Sequence, residues 1–127
     1  HNAYTEIKRL DPAAQAAIGG MVGATPARMK WLDRAWAEYR RLYGTDMPVD
    51  IWNVHACVLR GVRPGHGKEC APTGSTDTGT WGALIPPGVE DNCGQWIKTD
   101  ELDRHDLFQQ QIVRFRTWMR DHGQQNK

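Results

Sequence analysis

Cysteine is scarce in this 127-residue chain: only Cys57, Cys70 and Cys93 occur. An odd count leaves at least one thiol unpaired within a monomer and argues against a secreted disulfide framework, so a reducing, cytoplasmic setting is the expectation. Long apolar runs are missing too. None approaches the roughly 18 residues that a membrane-spanning helix needs, and no charged segment leading into an apolar stretch marks a signal peptide, so a soluble chain with no membrane partner is expected. Nor does one charge dominate: Lys and Arg number 16 against 15 Asp and Glu, a net charge of +1. That balance excludes nucleic-acid binding as a property of the whole surface and leaves only local basic faces. Internal repeats and low-complexity tracts are also absent.

What is present is helix punctuation on either side of a breaker-rich middle. Asp11-Pro12 reads as a helix start, the Asp accepting from an early backbone N–H and the Pro filling a first-turn site that needs no donor. It predicts a short helix over 13–18, ended by Gly19, Gly20 and Gly23. Thr25-Pro26 repeats the signal. From 27 to 43 the residues Met29, Leu32, Trp36, Tyr39 and Tyr43 step by three and four, drawing one apolar stripe along a helix that Gly44 closes. Residues 48–59 are apolar on so many sides that they must be buried; β-branched content favours a strand, length and Pro48 favour a helix, and a helix is expected. A last helix is predicted from Thr99, whose neighbours Asp100 and Glu101 suit the positive helix end, through Phe108, Ile112, Phe115 and Met119 to Gly123. Residues 124–127 read as a frayed tail.

Between the helical flanks, 61–98 carries Gly61, Pro64, Gly65, Gly67, Pro72, Gly74, Gly79 and Gly82, too many breakers for a long regular element. Two short extended pieces, 80–85 and 95–98, could pair as a hairpin about Pro86-Pro87-Gly88. Ordering such a segment costs about 1–2 kcal/mol of backbone entropy per residue, so an internal clamp or a partner is required. The sum is a mainly α chain: a four-helix single domain over 1–127 with a long Gly/Pro-rich insertion that has room for a short β-hairpin.

His66 and Cys70 stand at a zinc-ligand spacing, with Cys57 before them and Cys93 beyond, and a zinc site of Cys57, His66, Cys70 and Cys93 is the candidate clamp. No CxxC pair accompanies them, and a disulfide across the loop or plain structural thiols would use the same residues. A thiol nucleophile would pair Cys70 or Cys57 with His66 or His55 and an orienting acid such as Asp77. Asp77-Thr78-Gly79-Thr80 matches the aspartic-protease tetrapeptide but lacks the strand context that chemistry needs.

Basic residues concentrate on the second helix, where Lys30, Arg34 and Arg41 fall on one side, opposite most of the aromatic stripe. Arg63 and Lys68 add charge where the insertion begins. Of six Trp, Trp31, Trp36, Trp52 and Trp118 read as core, while Trp81 and Trp96 either pin the insertion to the helices or offer anchors to a partner. The functional expectation is a non-catalytic binding module that recognises a protein or a nucleic-acid backbone through Lys30, Arg34, Arg41, Arg63, Lys68, Trp81 and Trp96. A small Cys/His hydrolase in the insertion is the rival, and it requires a concave pocket with convergent polar groups.

Overall fold

The Thr25-Pro26 start works as its residues dictate. The Thr25 hydroxyl accepts from Arg28 N, Pro26 occupies the first turn, and helix α2 runs over Pro26–Tyr43 until Gly44, at φ 69°, returns its N–H to the Arg40 carbonyl at 2.8 Å. Such a left-handed cap suits glycine, which has no Cβ to strain. The computed structural model describes residues 2–62, 73, 82–90 and 94–127. Among them lie α1 (Asn2–Leu10), β1 (Met21–Val22), α2, β2 (Val54–His55), β3 (Gly61–Val62), β4 (Ala83–Leu84), a 3-10 turn at Thr99–Glu101, and α3 (His105–Asp121). None of these helices is long and apolar enough to cross a membrane.

The stripe on α2 meets α3 through indoles. Met29, Leu32 and Trp36 pack with Phe115, Trp118 and Met119, and Val49 and Trp52 complete the cluster. Trp36 meets Trp118 edge-on at 5.6 Å, Trp118 meets Trp52 at 5.0 Å, and Trp36 and Trp52 are 6.1 Å apart. The edge-to-face contacts place positive ring edges on negative faces, and two of the cluster's indole N–H groups find acceptors. Trp118 Nε1 donates to Asp33 at 2.7 Å and Trp52 Nε1 to Gln124 at 3.3 Å.

Several expectations are corrected. The described residues form three α-helices, not a four-helix domain. Residues 13–18 are not helical: the Asp11 carboxylate accepts from Ala13 N at 2.9 Å, making a turn, and the chain beyond runs extended against 50–51, with Ile18 N donating to the Ile51 carbonyl and Ala17 bridging Ile51. The helix at this end lies earlier, in α1. Residues 48–59 are not helical either: besides a bridge at Ile51 they hold the two-residue β2, which pairs in parallel with β1, Met21 opposite Val54 and Val22 opposite His55. Among the described residues no hairpin joins 82–85 to 95–98; instead β4 pairs in parallel with β3, Gly61 opposite Ala83 and Val62 opposite Leu84. The last helix starts at His105, because Thr99–Glu101 closes as a 3-10 turn in which the Glu101 carboxylate takes the Lys98 N–H at 2.9 Å. Gln124 is buried, holding the first residue of the tail in place.

Candidate functional site

Helix α2 has two unlike faces. Its core side buries Met29, Leu32 and Trp36, and the opposite side puts Lys30, Arg34 and Arg41 in solvent, as the spacing predicts. Arg41 is compensated: its Nε and Nη2 grip the two Glu38 oxygens at 2.8 and 2.6 Å. That bidentate contact holds the Glu38 carboxyl below the usual carboxylate range and raises Arg41. Lys30 and Arg34 meet no carboxylate among the described residues.

The insertion builds a wall beside this face. Ile85 and Val89 bury against Ala27 of α2, and the buried Arg28 donates from Nη2 to the Leu84 carbonyl at 2.6 Å and from Nη1 to the Thr25 hydroxyl at 3.4 Å. Burial pushes the Arg28 guanidinium below its ordinary value. These contacts bring the Pro86-Pro87-Gly88 turn over α2, where the Arg34 guanidinium lies across Gly88: a Cβ there would stand 3.2 Å from Arg34 Nη1. Between turn and helix is a shallow concavity of about 480 Å³, bordered by Trp31, Arg34, Glu38, Arg41 and Pro87 and floored by Ala35 and Ala37.

Trp31 departs from expectation. It is 39 % exposed rather than core, and its ring borders the concavity. A signal was present in the sequence, since Trp31 falls outside the stripe of Met29, Leu32 and Trp36 and turns toward Arg34 and Glu38 on a helical wheel. Trp96 is half-buried, with the fully buried Arg60 guanidinium 4.3 Å from its ring centre. Its Nε1 is buried and has no hydrogen-bond partner among the described residues. Trp96 is thus pinned inward.

Arg63, Lys68, Trp81, His66, Cys70, Asp77 and Cys93 lie outside the described residues. Of the four expected zinc ligands only Cys57 is described. It is an exposed free thiol, and no group of three His, Cys, Asp or Glu able to hold a metal forms among the described residues. Cys57 and His105 border an apolar groove of about 630 Å³ with Leu102 and Phe108. Asp103 lines the same groove, while the neighbouring carboxylates of Glu101 and Asp106 are engaged by Arg104. The His55 ring lies instead over Gly20, where an added Cβ would stand 2.7 Å from it. Compared with known protein families, with curated proteins and with solved structures, the chain shows no match in any of the three.

Proposed function

We propose that this chain is a non-catalytic binding module whose outer α2 face takes the phosphate backbone of a single-stranded nucleic acid, with Trp31 as a stacking platform. The observation that supports this reading is Lys30 and Arg34, one turn apart and neither meeting a carboxylate among the described residues. Like charges at that spacing repel by about 0.2–0.5 kcal/mol, and the acidic residues nearest them on α2 are engaged elsewhere, Asp33 by the Trp118 indole and Glu38 by Arg41. A bound polyanion turns the repulsion into attraction. The alanine floor and the exposed indole add room for a flat ring beside Arg34, and stacking of a base on an aromatic side chain contributes about 1–3 kcal/mol. A footprint this local agrees with a net charge of only +1.

Anisotropy of a labelled oligothymidylate, titrated with the protein at a series of salt concentrations, tests the proposal. Two to three phosphate contacts give a slope of log K against log salt of about −1.5 to −2. The double variant Lys30→Glu/Arg34→Glu is expected to weaken binding by about tenfold or more, and Trp31→Ala to weaken it independently of salt. Binding that ignores salt removes the proposal. Binding that needs the cations but not Trp31 overturns the stacking platform and leaves a phosphate contact alone.

A further inference from the structure

Helix α1 holds no fully buried residue, only the part-buried Tyr4 and Lys8, yet it is held at a defined place. Its attachment is polar and converges on one carboxylate. Asp50 accepts the Tyr4 hydroxyl on Oδ1 at 2.9 Å, the Lys8 ammonium on Oδ2 at 2.9 Å and the Ala16 N–H on Oδ2 at 2.9 Å. The Lys8 ammonium also reaches the Ala14 carbonyl at 2.6 Å. The apolar side of α1 is seated loosely by contrast. A groove of about 350 Å³ separates Ala3 and Ile7 from a floor that includes Ile18, Tyr39, Met47 and Val49. Ile7 is 40 % exposed and Leu10 69 %.

We infer that α1 is a releasable strap, hinged at Asp11-Pro12 and latched by Asp50, whose opening uncovers the apolar floor beside Tyr39. A nine-residue helix is too short to persist alone in water, so α1 is helical while docked and unravels when it leaves. The hinge is a turn closed locally by Asp11, whose side chain takes Ala13 N and whose carbonyl takes Ala14 N; α1 reaches it through the Ile7 carbonyl, which takes Asp11 N, and through Lys8 on the Ala14 carbonyl. Helices α2 and α3 differ in kind, since each buries aromatic side chains in the shared core and opens only when that core does. The strap exposes an apolar seat without disturbing the rest of the fold.

Amide hydrogen exchange on the full chain tests this. Amides of residues 6–11 are expected to exchange about 100-fold or more faster than those of 32–43 and 111–121. Lys8→Met removes the ammonium and leaves the other Asp50 contacts intact; it should speed exchange in α1 by about tenfold while α2 and α3 stay within about twofold. Asp50→Asn, which cannot accept from all three donors, should do the same or more. Exchange of α1 at the pace of α2 and α3 would overturn the inference. So would equal loss of protection in all three helices of both variants, which would show that α1 leaves only by global unfolding.

Discussion

Gly82 lies at φ 136°, and a Cβ there would stand 2.6 Å from the Arg60 carbonyl oxygen and 2.9 Å from a Val62 methyl. Both the backbone angle and the close approach of the chain at 82 to residues 60–62 therefore demand glycine. Gly82→Ala is expected to lower stability by about 2–3 kcal/mol, read as a lower urea midpoint at unchanged slope. An unchanged midpoint would mean that 82–84 is not held against 60–62. Single residues also show how far local signals carry. Thr25 and Asp11 both precede Pro and read alike, but only Thr25 caps a helix. Behind Thr25 comes a stripe with large side chains to bury, whereas behind Asp11 come alanines that gain little from helix burial and find backbone partners at 50–51 instead. The Asp11 side chain then serves a turn, the other habit of its type. Trp31 was readable from the wheel; Tyr4, Lys8 and Asp50 were not, because contacts across more than 40 positions leave no mark on local spacing.

The elements that periodicity revealed are those whose burial is one-sided. Helices α2 and α3 each bury a stripe and show it in sequence. Residues 48–59 are apolar throughout, and a pattern without a polar face does not separate helix from extended chain. Helix α1 holds no fully buried residue, and the stepping of Ala3, Tyr4, Ile7 and Leu10 spans too few residues to mark a helix by period alone. Its docking has a pH signature instead. The Ala16 N–H first, then Lys8 and Tyr4, hold the Asp50 carboxyl down from 3.8 to about 2. Besides these groups, Asp11 acts on the knot through Lys8. A carboxyl favoured in its ionised form by the fold contributes stability that is complete above about pH 4 and is lost as pH falls through the folded value. Protection of α1 amides should therefore fall between about pH 4 and pH 2 in the native chain. In Asp50→Asn that step should be absent, since no proton is taken up there. A step of the same size in both proteins would place the titrating group elsewhere, among carboxyls such as Glu6 or Glu101 that arginine or backbone contacts also hold low.

At the scale of the whole molecule, the core was legible as a set of residues before it was legible as a shape. Trp36, Trp52 and Trp118 read as buried and are so, but what they join is α2, α3 and an extended strand segment rather than a bundle of four helices. The reason is that indoles specify burial strongly and partner geometry weakly; their offset and edge-on contacts tolerate a helix or a strand on the other side. This cluster should govern global stability. Trp36 is 4 % exposed and touches Trp52, Trp118 and the His122 ring, the last at 5.4 Å. Trp36→Ala is expected to cost about 3–5 kcal/mol, a large share of the about 5–15 kcal/mol that stabilises an ordinary domain. Because the cluster ties both long helices to 49–54, helix content and tryptophan fluorescence should be lost together at a lower denaturant concentration, with coincident midpoints. If fluorescence shifted while the helical signal kept its native midpoint, the indoles would be a local patch, and the stability of α2 and α3 would have to come from their contacts outside it.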